Sequence, residues 1–353
     1  MHAEEETIAV RTGENFDLQK VERYLRDHLG GIGEGSLQVR QFPAGASNLT
    51  YLLQAGDWEA VLRRPPLGPV APRAHDMKRE FTLLQKVHPV FSLAPLPYIF
   101  CDDLTILGAP FYVMERRTGV VLNTSFPRGV TPTAELCEKI SQMVIETLVQ
   151  IHAIDWHAAG LDELGHPEGF LERQVKGWIE RYFRAQTEDI PLVQSLTGWL
   201  MTHVPQSPAP TLIHNDFKLN NMILNADDLT QATAVLDWEM ATIGDPLFDL
   251  AVSLSYWVTP SDPEELQTIL PTVTNLPGFV SRETFMEMYA QKSKRDLSSI
   301  DFYMIFAYFK LAVIIQQIYV RWKRGQTQDE RFGIYGSRVQ TVVRYAAELA
   351  GLG

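Results

Sequence analysis

The run Leu212-Ile213-His214-Asn215-Asp216-Phe217-Lys218-Leu219-Asn220-Asn221 sets an aspartate, a lysine and an asparagine in fixed order after an apolar stretch. A carboxylate at Asp216 can accept the proton of an attacking hydroxyl. An amide oxygen at Asn221, four intervening residues later, can turn back and hold a metal ion on a phosphate chain. A loop this short keeps both groups on one side. Lys218, two positions after Asp216, can offset charge on a transferring phosphoryl group. A second apolar run, Ala234-Val235-Leu236, ends in Asp237-Trp238-Glu239. Antiparallel pairing of strands here would bring Asp237 beside Asn221. A carboxylate and an amide oxygen are hard ligands suited to a Mg²⁺ ion that keeps several waters. Together these residues point to phosphoryl transfer onto a hydroxyl, in which positioning and charge do most of the work.

Other residues near these motifs read as structural. His214 packs and hydrogen-bonds to hold the loop. Asp245 in Gly244-Asp245-Pro246 is a helix cap with proline at the first helical position, and Asp249 anchors the loop. Glu239 either helps a second metal or shapes its turn. His152 and His157 flank Asp155-Trp156 and pack or cap a helix end. Phe302, Tyr303, Phe306, Tyr308 and Phe309 recur at the spacing of a buried helix, with an acceptor-pocket wall as the alternative. Arg321, Lys323 and Arg324 suit a helix C-terminus, or would meet an anionic acceptor.

The elements that must position these groups change character along the chain. Residues 16–29 read as a helix. Short apolar runs at 37–42, 49–54 and 59–63, split by turn residues, read as strands. Asp76 caps a helix to about Val87, and strands follow at 98–101 and 111–115. Helical periodicity dominates 131–154, 168–184, 192–204, 281–292, 298–324 and 339–349. One short patch between Leu212 and Leu236, with runs TLIH, MIL and AVLD, is not helical. The expected plan is a small sheet-rich lobe, 1–117, a helical lobe, 118–353, and a cleft at their junction.

His-x-Asp-x-x-x-x-Asn is the residue order of a kinase catalytic loop. With Asp237-Trp238-Glu239 and Gly244-Asp245-Pro246-x-x-Asp249-Leu250-Ala251, the chain resembles the aminoglycoside/choline phosphotransferase family. VLRRPP, FYVME, HNDFKLNN and DWEMATIGDP are most similar to the branch sometimes fused to acyl-CoA dehydrogenases. The resemblance implies an α+β, protein-kinase-like two-lobed fold that uses ATP and Mg²⁺. It implies Asp216 and Lys218 as catalytic groups, and Asn221 and Asp237 as metal ligands. Ser47 and Asn48, in the family's short G-x-S-N turn, would meet phosphate. Arg63 stands where kinases usually carry a lysine that pairs with a helix glutamate; Glu80 is the candidate partner. Arginine binds phosphate bidentately and is always charged, so the exchange is not neutral. Arg64 would face the other way. The strand 111–115 resembles the hinge whose backbone meets adenine.

The bulk properties agree with a folded enzyme. The chain has 353 residues, 45% hydrophobic and 21% charged, which argues against long disorder. Its formal net charge of −12 gives no basic stripe for a nucleic acid. Cys101 and Cys137 make no CxxC pair, which suits a reducing cytoplasm. The N-terminus lacks an apolar signal core. The apolar stretch from Phe302 to Val320 contains Lys310, Gln316 and Gln317, so a buried helix is expected, not a membrane span. The acceptor is expected to be a small-molecule hydroxyl. The branch resemblance suggests a hydroxyacyl compound, with an aminoglycoside or amino-alcohol as the alternative. A non-catalytic nucleotide-binding regulatory module is the reading from another class, and Arg63 is its support. A metal-dependent hydrolase on His214, Asp216 and Asp237 lacks a second spaced histidine.

Overall fold

The structure is a computed structural model that describes residues 6–43, 48–67, 76–327 and 329–353. Its chain forms two compact units. The first comprises Met1–Val120 with Met222–Asp228 and Ala232–Glu239; the second comprises Val121–Asn221, Leu229–Gln231 and Met240–Gly353.

In the first unit, strands β1 (Gln38–Gln41), β2 (Leu49–Ala55), β3 (Trp58–Arg64), β4 (Pro97–Cys101) and β5 (Phe111–Glu115) form one sheet in the order β1-β2-β3-β5-β4. Every neighbouring pair is antiparallel. The β2–β3 ladder closes at Ala55 opposite Trp58, so the turn is Gly56-Asp57, with Gly56 at φ 58°. A two-residue hairpin needs that left-handed backbone. The helix Leu18–His28, capped by Asp17, buries Val21 and Leu25 against Tyr51, Leu53, Leu62 and Val113. The helix Met77–Val87 starts where expected, with the Asp76 carboxylate accepting the Arg79 N–H. It buries Glu80 on the same face as Leu83, Leu84 and Val87. A lone buried carboxylate on an apolar face requires a cation.

Strands β7 (Met222–Leu224) and β8 (Ala232–Val235) form an antiparallel hairpin with Met222 opposite Val235. It belongs to the first unit, although in sequence it falls inside 118–353. Backbone bonds explain this: Val120 exchanges both with Leu224, and the Val235 N–H donates to the Leu93 carbonyl. Gly119 permits the first of these. A Cβ there would sit 2.2 Å from the Leu224 carbonyl oxygen.

The second unit is largely helical. Ala134–His152, Phe170–Ala185, Pro191–Thr202, Pro246–Tyr256, Arg282–Ser293, Ile300–Lys323 and Tyr335–Leu349 are its longer helices. Expected and observed ends differ by a few residues, as fraying termini do. The last helix begins four residues before 339. A short strand β9 (Thr242–Gly244) pairs with β6 (Thr211–Ile213). The sequence did not announce β9, because three residues carry too little periodicity. Ile300–Lys323 is long and apolar enough to cross a membrane by length and composition, yet 78% of its apolar window is buried within the protein. Phe302, Tyr303, Phe306, Tyr308 and Phe309 all lie in the core it shares with Phe170–Ala185 and Pro246–Tyr256. Both cysteines are free and buried.

Candidate active site

In the first unit a charged cluster surrounds Arg63. Its Nη1 lies 2.6 Å from Glu80 Oε1. Its Nη2 lies 3.2 Å from Asp237 Oδ1 and 3.7 Å from Glu239 Oε2. The forked guanidinium reaches three carboxylates, Glu80 through one nitrogen and Asp237 and Glu239 through the other, which one lysine ammonium would not do as well. Burial alone would lower the pKa of Arg63. Glu80, Tyr112, Asp237 and Glu239 overcome that and raise it well above the ordinary value, so the charge is fixed. Arg64, the next residue, faces instead the neighbourhood of Tyr51 and Glu14. Asp237 holds a positive φ of 68°, strained for a non-glycine residue. Asn48 donates from Nδ2 to Glu239 Oε2 at 2.7 Å. Arg79, which the sequence reading passed over, donates from Nη1 to the Glu239 carbonyl at 3.1 Å. Its position one residue before Glu80, at the start of a helix, was the available signal. Ser47 lies outside the described residues.

In the second unit the loop after β6 presents Asp216. Lys218 Nζ lies 3.0 Å from both of its carboxylate oxygens. Asn221 donates from Nδ2 to the Asp216 carbonyl at 2.9 Å and to Oδ2 at 3.0 Å. The Asn221 side chain thus turns its amide nitrogen to Asp216. The Lys218 ammonium, expected on a phosphoryl group, is thus seated on Asp216. It also lies 4.7 Å from the centre of the Tyr256 ring. Asp216 is partly exposed, as a group that meets a reactant must be.

The loop is anchored from beneath. Asp249 is fully buried and accepts the backbone N–H of His214 at 2.8 Å and of Asn215 at 2.6 Å. His152 Nε2 lies 3.0 Å from the same carboxylate, and its Nδ1 2.7 Å from the Tyr289 hydroxyl. Burial would raise the carboxyl of Asp249; the His152 bond and nearby charge outweigh it and hold it below the usual range. Asp245 caps the helix Pro246–Tyr256 through the Leu247 N–H and accepts the Tyr303 hydroxyl at 2.7 Å. These structural roles for Asp245, Asp249 and His152 match the sequence reading. His157 is exposed, 2.5 Å from Asp162.

Beside the loop is a cavity of about 200 Å³. Phe217, Lys218, Tyr256, Trp257, Leu270 and Phe285 are among its lining residues, with Asn123, Asn220, Thr272 and Thr274 as polar groups. None of the lining residues is Asp or Glu, and none belongs to the Phe302–Phe309 aromatic set. Arg321, Lys323 and Arg324 do not line it either; Lys323 pairs with Glu188 at 3.1 Å. The aromatics that form its wall come from the loop after β6 and from the ends of other helices.

A model of the Phosphotransferase enzyme family matches residues 38–272, from β1 past the helix that carries Asp249. The chain belongs to this family. Acyl-CoA dehydrogenase family member 11 of Rattus norvegicus is 33% identical over 359 residues, covering 99% of this chain and 45% of that protein. The chain therefore spans less than half the length of that relative. A Ralstonia eutropha protein solved as a candidate aminoglycoside phosphotransferase superposes with a TM-score of 0.80 at 28% identity, covering 96% of this chain and 99% of that one. Choline kinase from Cryptosporidium parvum superposes with a TM-score of 0.62 at 14% identity, over 94% of this chain and 96% of that one. At that identity the likeness shows the fold alone, and it is kinase-like.

Proposed function

We propose that this phosphotransferase transfers the γ-phosphoryl group of ATP, as its Mg²⁺ complex, to a hydroxyl of a hydroxyacyl compound. The observation that carries the reading is the Asp216 carboxylate, held by Lys218 and Asn221, beside a largely apolar cavity without an acidic lining residue. Asp216 accepts the hydroxyl proton as the acceptor oxygen bonds to the γ-phosphorus. The bond to the bridging oxygen breaks, and ADP leaves with the electron pair. Lys218 holds the carboxylate in place and lowers the cost of negative charge near it. Arg63, braced by Glu80, and Asn48 serve the phosphate chain; Ser47 is assigned there on its sequence position.

Among the described residues no group of three His, Cys, Asp or Glu side chains is placed to hold a metal by itself. Mg²⁺ fits that donor set, because it keeps waters and phosphate oxygens and asks for only one or two protein ligands. Asp237 and the Asn221 amide oxygen would be those ligands, and the ion would neutralise charge on the phosphates. The cationic Arg63 against Asp237 marks that carboxylate as a site for positive charge.

The acceptor class rests on the cavity wall. A polycationic aminoglycoside calls for carboxylates, and the lining offers one lysine with aromatic and aliphatic groups instead. The relatives' acyl-CoA dehydrogenase names point the same way. Two free, buried cysteines suit action in a reducing cytoplasm. The test is Mg²⁺-dependent ADP release against hydroxyacyl-CoAs, hydroxy acids, choline-like alcohols and aminoglycosides, with Asp216→Ala as control. Stimulation by hydroxyacyl compounds that vanishes in the variant is expected. Stimulation by aminoglycosides alone would overturn the acceptor, and equal turnover by the variant would overturn the role of Asp216.

A further inference from the structure

Asn215, the residue directly before Asp216, sits in the left-handed region at φ 67°. Asparagine tolerates that region better than most side chains, but it still needs holding there. Its four polar atoms are all taken. The backbone N–H donates to Asp249 Oδ1 at 2.6 Å, and Nδ2 donates to the Met240 carbonyl at 3.3 Å. The remaining two, the carbonyl oxygen and Oδ1, both accept from Lys310 Nζ, at 3.0 and 3.2 Å. Lys310 is only 4% exposed, on the core helix Ile300–Lys323. Its ammonium also lies 5.2 Å from the Phe248 ring centre and 5.5 Å from that of Trp178. Burying a lysine in an aromatic core is costly unless its protons are used. Here two of them close a ring on one residue, gripping it by main chain and side chain at once.

We propose that Lys310 is a positioning residue for phosphoryl transfer, clamping Asn215 in its left-handed conformation so that the Asp216 carboxylate faces the acceptor cavity. Lys310 touches neither reactant. It acts through the peptide that joins residues 215 and 216, whose orientation sets where the Asp216 side chain starts. The catalytic part of this inference rests on the phosphotransfer reading, whereas the clamp itself does not.

The experiment pairs Lys310→Met with Lys310→Met/Asn215→Gly in the full chain. Glycine takes positive φ at no steric cost, so it substitutes for the clamp instead of restoring it. Two readouts are used: hydrogen exchange of the peptide spanning 212–221, and kcat and KM for Mg²⁺-ATP turnover. Lys310→Met is expected to exchange faster in that peptide. Its kcat should fall about 10- to 100-fold, the scale of a lost charged hydrogen bond, while its KM for ATP stays within about twofold. Adding Asn215→Gly should restore much of kcat, which relief of a general core defect would not do. Unchanged exchange at 212–221 in Lys310→Met overturns the clamp. Faster exchange with unchanged kcat overturns the catalytic part, as does an unrecovered kcat in the double variant. If Lys310→Met fails to fold, single substitutions at Asn215 decide: Asn215→Gly should keep more turnover than Asn215→Ala, and the reverse order overturns the proposal. A natural chain with no turnover at all would sink the phosphotransfer reading, with the exchange data still testing the clamp.

Discussion

Glu80 offers a sharp test of the charged cluster in the first unit. Its carboxylate is 2% exposed and lies 2.6 Å from Arg63. Removing one partner of a buried ion pair typically costs about 3–5 kcal/mol, because the other charge is left uncompensated. Here the compensation is only partly lost. Asp237 at 3.2 Å and Glu239 at 3.7 Å remain on the other nitrogen of Arg63. Glu80→Ala should therefore cost less than that range, about 2–3 kcal/mol. Glu80→Gln keeps an acceptor of the same shape and loses only the charge, so about 1 kcal/mol is expected. The freed guanidinium should turn toward Asp237 and Glu239, away from the phosphate chain. The KM for Mg²⁺-ATP should then rise about tenfold in Glu80→Ala, a factor worth about 1.4 kcal/mol. Two compact units need not unfold together, so a single midpoint is insufficient. Urea unfolding should be followed by hydrogen exchange in peptides covering β3 and Met77–Val87. Glu80→Ala within about 0.5 kcal/mol of the natural chain, with ATP KM unchanged, would refute the reasoning.

Asp216→Ala should abolish nearly all turnover while ATP affinity, measured by calorimetry, changes little; comparable turnover would remove Asp216 from the mechanism. Asp249 titrates below the usual carboxylate range when folded, so its stabilisation is present above about pH 4 and lost as pH falls through its folded pKa. Asp249→Asn should lower stability at pH 7 and flatten the acid side of a urea-midpoint profile, and an unchanged acid slope would contradict this. Burial brings Lys310 down to about 8; Lys218 and Arg181 push the same way, while Asp216 and Asp249 oppose. An unfolded lysine titrates near 10.4, so between these values the unfolded chain binds more protons and stability rises with pH. The natural chain should show that rise and Lys310→Met should lack it; an identical alkaline slope in both would argue against a buried ammonium. Lys218→Ala should lower kcat about 10-fold or more, as loss of a charged hydrogen bond does. An unchanged kcat would make it a bystander.

What the sequence determined by itself was local and periodic. Asp76 and Asp245 announced helix starts, since a capping side chain acts within its own first turn. The strands 49–55, 58–64 and 111–115 were legible from apolar runs and the Gly56-Asp57 turn. His214–Asn221 and Asp237 stood out in the sequence because the chemistry proposed for them demands fixed residue types at fixed spacing. The resemblance to kinases implies Glu80 as the partner of Arg63, and the two lie 2.6 Å apart. The tertiary structure alone decided what depends on distant segments meeting. It seated Lys218 on Asp216, gave Glu239 to Asn48 and Arg79, and paired β9 with β6. It built the cavity from Tyr256, Trp257 and Phe285 while committing the aromatics of 302–309 to the core. Lys310 is the clearest case. In sequence it is a lone cation in an apolar helix, and only packing brings it to Asn215, 95 residues away. Hydrogen bonds and ion pairs are short-ranged, so a residue's partner is fixed by which surfaces the folded chain brings together, and no local pattern encodes that.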